Sequence, residues 1–204
     1  MLISFSDIKQ KYNMNITGII HVGGHYGEEV PEYVNNGIRN IAIFEPISSS
    51  FDVMESNLSN LNANIKGYQV ALGSEEKKAD MYISSNKAES SSILKPKKHL
   101  IQYSDITFDQ TELVEVKTLD SYSFSGYNFI NMDVQGYELE VLKGAKETLK
   151  NVDYVYCEVN RDEVYENNAY VEEIDEFLMT YNIKRVEVDW RGLVWGDALY
   201  IKEK

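Results

Sequence analysis

Apolar and polar positions along the chain follow two periods in turn. Residues 4–12 (SFSDIKQKY) carry apolar side chains at helical spacing, and residues 17–22 (TGIIHV) crowd Ile19, Ile20 and Val22 into a buried strand. A glycine-rich turn, GGHYG, leads into a second helical segment over 28–36, which Gly37 closes. A strand over 40–45 (NIAIFE) stops at Pro46. Phe51, Met54, Glu55 and Leu58 then repeat at helical spacing, with Ser48, Ser49 and Ser50 available as N-caps. Residues 65–72 predict a third strand, and residues 80–84 its hairpin partner after a turn at Gly73. Further strands are expected at 113–119, 127–132, 152–159, 184–190 and 195–202. Helices are expected at 136–149, through Leu139, Leu142, Ala145 and Leu149, and at 169–181.

Strands that alternate with helices predict a mostly parallel sheet covered on both faces. The last two strands are joined by a tight turn at Gly192 and must pair antiparallel. Residues 85–110 break the pattern. They are rich in Ser and Lys, show no period, and are long enough to serve as a lid or binding loop.

Composition narrows the class. A chain of 204 residues, 43% hydrophobic and 26% charged, fits a single domain over 1–204 that needs neither disulfide nor metal to fold. Its one cysteine, Cys157, lies in an apolar run and reads as a small buried hydrophobe. Cysteine-based metal clusters are excluded, and a reducing, cytoplasmic setting is expected. The first 15 residues lack the pattern of a secretory signal, and no apolar run approaches the roughly 20 residues of a membrane span. A net charge of −13 repels phosphate backbones and argues against a nucleic-acid partner.

Four places carry candidate chemistry. Gly23, Gly24 and Gly27 follow a buried strand, where glycine lets a ligand approach the backbone and the next helix offers N–H groups. Glu45 ends the second strand, the position from which an acid accepts both ribose hydroxyls of a nucleoside. Asp133 ends the fourth parallel strand and points into the ligand crevice of an open α/β sheet, and Glu138 follows in the first turn of the next helix. Glu158 and Asn160 end the strand after that, two residues apart and on one side. Asp133 and Glu158 are the candidate catalytic pair. Carboxylates so placed could position a hydroxyl, act as a base or, with Asn160, hold a divalent cation. The spacing of His21 and His25 makes a metal pair only on a helix, and here it spans a strand end and a turn.

These stretches, in this order, resemble the FkbM methyltransferase family over roughly residues 17–160. IIHVGGHYGEE resembles its cofactor turn, and IAIFEPISSSFDVMESNL its second-strand motif. VALGS, SSSIL and VKTLDSY resemble the segments that follow. NFINMDVQGYELEVLKGA is similar to the family's D-x-E-G-x-E-x-x-x-L-x-G. The resemblance implies a Rossmann-like class I methyltransferase fold: α/β, with a mostly parallel seven-stranded sheet ending in an antiparallel hairpin. It implies S-adenosylmethionine as cofactor and S-adenosylhomocysteine as product, held by His21, Gly23, Gly24, His25, Gly27, Glu45, Pro46, Ile47, Ala71, Leu72, Ser91, Ser92, Asp133 and Gln135. It implies methyl transfer to a hydroxyl, often of a sugar or glycosylated natural product, and demands no metal, so the metal-free version of the acid pair is the one expected. Two positions depart from the pattern: His21 stands where the family commonly has an acid, and Gln135 where it has Glu, so position 135 cannot act as a base.

An NAD-dependent oxidoreductase shares a glycine turn and a strand-end acid, but the turn here lacks the full G-x-G-x-x-G. A non-catalytic domain binding S-adenosylmethionine is the other alternative, opposed by the acids at 133, 138 and 158. Tyr165, Tyr170, Trp190 and Trp195 are candidate walls of a carbohydrate acceptor site, as is the segment 85–110.

Overall fold

The computed structural model describes residues 1–203. Its main sheet has seven strands: β1 (Ile19–Val22), β2 (Asn40–Phe44), β3 (Asn64–Tyr68), β7 (Phe129–Met132), β8 (Tyr154–Asn160), β9 (Ile183–Arg191) and β10 (Trp195–Lys202). They lie in the order β3-β2-β1-β7-β8-β10-β9. The first five are parallel, and β10 runs antiparallel between β8 and β9. β1 lies between β2 and β7, so the strand order reverses there and a crevice opens at the carboxyl edge.

Both faces are covered, as the alternation predicts. On one face Phe5 and Ile8 of α1 (Phe5–Lys11), Val30 and Tyr33 of α2 (Val30–Asn35), and Met54 and Leu58 of α3 (Ser48–Leu58) pack over Ile19, Ile41, Phe129 and Tyr156. On the other, Val141 and Leu142 of α5 (Glu138–Lys143) and Val171, Ile174 and Leu178 of α6 (Val171–Met179) pack over Ile20, Ile130, Val155, Cys157 and Ala198. Burying each of these aliphatic side chains contributes roughly 1.5–3 kcal/mol.

Four expectations are corrected. The apolar run 65–72 is not one strand: β3 ends at Tyr68, and β4 (Ala71–Leu72) leaves the main sheet. The expected hairpin does not form. β5 (Lys77–Ile83) pairs antiparallel with β6 (Gln110–Lys117), which also takes β4 as a parallel neighbour, making a separate three-stranded sheet. Its own small core of Ile47, Ala71, Met81, Val114 and Val116 is the reason. The helix expected at 136–149 stops at Lys143 with Gly144 as its C-cap, and Gly144 lies so close to Gly73 that a Cβ there would be 2.0 Å from the Gly73 carbonyl oxygen. Ala145 and Leu149 still reach the core, Leu149 through a short 3-10 turn. The cap of α3 is Ile47 rather than a serine, and Ser48, Ser49 and Ser50 form its first turn.

The segment 85–110 has structure of its own. Ser92 bridges to Tyr82 and Pro96 to Tyr165, and α4 (His99–Gln102) follows.

Candidate active site

The strand ends build one cavity of about 350 Å³. The end of β1 supplies His21 and Gly23, the end of β2 supplies Glu45, and the end of β7 supplies Asp133. β8 supplies Glu158, and β10 supplies Asp197. Ile47, Ala71, Leu72 and Met81 give the wall an apolar part, and Ala88, Glu89, Ser91 and Ile93 of the segment 85–110 also line it.

Glu45 is fixed by two backbone donors. The N–H of His25 reaches Oε2 at 2.8 Å, and that of Ile47 reaches Oε1 at 2.8 Å. The side chain is 5% exposed, and burial pushes its carboxyl up to about 7 against the pull of those two donors. Each oxygen keeps a lone pair for a further donor.

The glycine turn is held by its own backbone hydrogen bonds. The N–H groups of Gly23 and Gly24 both donate to the Phe44 carbonyl at 2.9 Å, and that of Gly27 donates to Gly24 at 2.7 Å. None of the three is left for a ligand. Gly23 has φ +81°, and a Cβ there would lie 1.9 Å from the Asp133 carbonyl oxygen, so glycine is needed for the close crossing of β1 and β7. Gly24 and Gly27 lie behind the cavity wall, where their missing side chains make room for Ile43 and Leu58.

The Gln135 side-chain amide stands between the two candidate catalytic acids. Its Nε2 donates to Asp133 Oδ1 at 2.6 Å and to Glu158 Oε2 at 3.1 Å. Asp133 opens to the solvent of the cavity but is set deep in the fold. Burial, and then repulsion from Asp197, push its carboxyl up to about 6, while the Gln135 donor acts the other way. Glu158 is 6% exposed and goes well above the usual carboxylate range, through burial first and then Asp133, Glu138 and Asp197. Of the two acids, Glu158 is thus the one whose proton is held more strongly.

Glu138 is a structural acid. Its Oε1 accepts the N–H groups of Val134 at 3.0 Å and Gly136 at 3.2 Å, which shapes the turn carrying Asp133 and Gln135. Burial pushes it up to about 7.

Of the expected cofactor residues, His21, Gly23, His25, Glu45, Pro46, Ile47, Ala71, Leu72, Ser91, Asp133 and Gln135 line the cavity. Ser92 does not; its hydroxyl donates to the Gln135 carbonyl at 2.7 Å. Asn160 is also buried off the wall, with Oδ1 unpartnered. His21 is buried, which holds its pKa down, and its Nδ1 has no partner. Among the described residues, no three His, Cys, Asp or Glu side chains converge to hold a metal ion.

The four candidate aromatic walls lie elsewhere. Tyr165 is buried beneath the segment 85–110, and Tyr170 caps α6. Arg161 stacks 3.6 Å over the Trp190 ring, and Trp195 Nε1 donates to the Tyr103 hydroxyl at 3.0 Å. Sequence reasoning missed Asp197. It sits on an edge-side antiparallel strand, paired in register with Glu158, and only the pairing brings it to the cavity.

The wall carries the carboxylates of Glu28, Glu29, Glu45, Glu89, Asp133, Glu158 and Asp197, and no Lys or Arg side chain. Such a cavity suits a cationic ligand and opposes a pyrophosphate.

Residues 21–186 match the family model described as the methyltransferase FkbM domain. The chain is 29% identical over 150 residues to the 2-O-methyltransferase NoeI of Sinorhizobium fredii, an alignment covering 69% of this chain and 61% of that protein. The chain thus spans less than two thirds of that relative's length. Its fold is similar to that of the methyltransferase FkbM from Methylobacillus flagellatus, with a TM-score of 0.61 at 15% identity, over 91% of this chain and 43% of that one. It is also similar to magnesium protoporphyrin IX methyltransferase from Synechocystis, solved with bound S-adenosylmethionine. The TM-score there is 0.55 at 6% identity, over 96% of this chain and 74% of that one.

Proposed function

Because the chain belongs to the FkbM methyltransferase family, we propose that it transfers a methyl group from S-adenosylmethionine to a hydroxyl of a carbohydrate or glycosylated small molecule, with residues 1–204 acting as one unit. The observation that carries this reading is the charge of the cavity: seven carboxylates against two histidines and no Lys or Arg side chain, with apolar Ile47, Ala71, Leu72 and Met81 on the same wall as Glu45. That apolar part fits a nucleoside base, and the free lone pairs of Glu45 fit ribose hydroxyls. Asp133, Glu158 and Asp197 fit a cationic sulfonium better than any neutral or anionic group. The same acids weigh against a dinucleotide with its pyrophosphate, and so against the oxidoreductase alternative.

S-adenosylmethionine supplies an activated methyl that an acceptor oxygen takes by in-line displacement. The protein's share is alignment and proton transfer. Asp133, ionised at neutral pH, takes the acceptor's proton. Glu158, whose carboxyl burial and its acidic neighbours push up, lessens the negative charge beside Asp133 and accepts from the Gln135 amide. Positive charge bound beside Asp133 would hold it further toward the ionised form.

Relation to NoeI, named a 2-O-methyltransferase, supports oxygen as the methyl acceptor. The carbohydrate class of the acceptor is carried over from the resemblance of the sequence motifs to the family. The acidic cavity, with a net charge of −13 overall, weighs against nucleic acid. Among the described residues, no helix is long and apolar enough to cross a membrane.

The test is release of S-adenosylhomocysteine from S-adenosylmethionine in the presence of mono- and oligosaccharide acceptors, with mass spectrometry of the products. The reading requires one methyl added at oxygen for each S-adenosylhomocysteine released. Methylation at nitrogen or carbon alone would refute it.

A further inference from the structure

Tyr165 forms no part of the cavity wall and is completely buried. Its hydroxyl lies 2.7 Å from Gln135 Oε1 and 2.9 Å from the Ser90 carbonyl oxygen. The hydroxyl has one hydrogen to donate, shared between these two oxygens, and the amide is oriented from its far end, where its two hydrogens find acid oxygens of Asp133 and Glu158 as acceptors. The reverse orientation would set the amide oxygen against two carboxylate oxygens, which repel it.

The backbone at Gln135 holds the amide in place from its other end. Its φ is +54°, a left-handed conformation that side chains other than glycine seldom adopt. Ser92 Oγ donates to its carbonyl, and Glu138 fastens the N–H groups on either side. Ser90 and Ser92 both belong to the segment 85–110.

We infer that Tyr165 is a positioning residue: through the Gln135 amide it holds the Asp133 and Glu158 carboxylates toward one another and ties their placement to the segment 85–110 at Ser90 and Ser92. The inference deepens the proposed function, since it gives that acid pair its geometry. The other charged groups facing the pair are Asp197, Glu138, Glu29 and the Met1 ammonium.

The test is NMR on the full chain, labelled with ¹³C and ¹⁵N. It follows the Gln135 side-chain NH₂, assigned by its loss in Gln135→Leu, and the titration of the Asp133 carboxyl carbon. In Tyr165→Phe, which removes one oxygen, the Gln135 NH₂ protons should shift toward free-amide positions. The Asp133 midpoint should rise by about half a pH unit or more as its donor is lost. Gln135→Leu should raise that midpoint by a similar amount, and Tyr165→Phe should add nothing further in the Gln135→Leu background. An unmoved Asp133 midpoint in Gln135→Leu would overturn the inference even if Tyr165→Phe failed to fold. So would effects that add in the double variant, or wild-type NH₂ positions in Tyr165→Phe. Calorimetry with S-adenosylhomocysteine separates the two levels: absence of binding would sink the functional reading and leave the NMR outcome standing on its own.

Discussion

Glu45 accepts the backbone N–H of His25 at 2.8 Å, so the acid that ends β2 is fastened to the turn that leaves β1. The two features that suggest a nucleoside site in the sequence are thus one physical unit. Glu45→Ala should weaken S-adenosylhomocysteine binding by about 1–3 kcal/mol, the loss of charged hydrogen bonds. The pH dependence has a fixed sign. Only the ionised carboxylate accepts from both ribose hydroxyls, and burial puts Glu45 at about 7. Affinity measured by calorimetry should therefore rise as pH climbs through that value and level off above it. Glu45→Gln should bind weakly with a flat profile; a flat profile in the wild type would remove Glu45 from the ribose.

The segment 85–110 should respond to ligand. Ala88, Glu89, Ser91 and Ile93 line the cavity, and the Lys87 carbonyl meets His25 Nε2 at 2.8 Å. Lys87 itself is exposed and within reach of trypsin. Saturating S-adenosylhomocysteine should slow cleavage at Lys87 severalfold, and His25→Ala should restore it toward the ligand-free rate. Equal cleavage with and without ligand would mean that the segment does not close over the cofactor.

Asp133→Asn should lower methyl transfer by about 100-fold or more, the scale of a lost general base, while S-adenosylhomocysteine binding largely survives. In the wild type, kcat/KM should fall as pH drops below about 6, where Asp133 takes up its proton. Full activity in Asp133→Asn would end its assignment as base.

Glu158 makes a stability prediction. Its carboxyl is held above its unfolded value, so the folded state binds more protons and stability falls as pH rises past the ordinary glutamate range near 4.3. Glu158→Gln removes that penalty. Its Tm should exceed the wild type's at pH 8, with an advantage that shrinks toward pH 5. About 1 kcal/mol corresponds to roughly 2–4 °C in a chain of this size. A lower Tm than wild type at pH 8 would contradict the buried, repelled state of Glu158.

Gln135→Glu exchanges the bridging donor for a third acid beside Asp133 and Glu158. Like charges this close repel unless a cation lies between them. The variant should lose Tm at pH 8 and regain part of it in millimolar magnesium or manganese, while the wild type stays unmoved by either ion. A variant indifferent to both would show that the amide does not occupy a bridging place.

Much of this was legible in the sequence. Ile19, Ile20, Phe129, Ile130 and Val155 mark fully buried strands by apolar runs alone, and the short connection at Gly192 forces the closing hairpin. The strand-end acids Glu45, Asp133 and Glu158 follow from their place after such runs. What the sequence hid depends on contacts far along the chain. β5 pairs with β6 across the whole segment 85–110, and apolar periodicity carries no record of that partner. The helix ends at Lys143 although the apolar period runs on to Leu149, and the packing of Gly144 against Gly73, distant in sequence, leaves no trace in that period. Asp197 and Tyr165 reach the acid pair only through strand register and the packing of that segment.

The most direct test is a crystal structure of the chain with S-adenosylhomocysteine. The account predicts the ribose hydroxyls on the Glu45 carboxylate, the base against Ile47, Ala71, Leu72 and Met81, and the sulfur toward Asp133. A nucleoside bound away from Glu45, or a sulfur turned from Asp133, would contradict it.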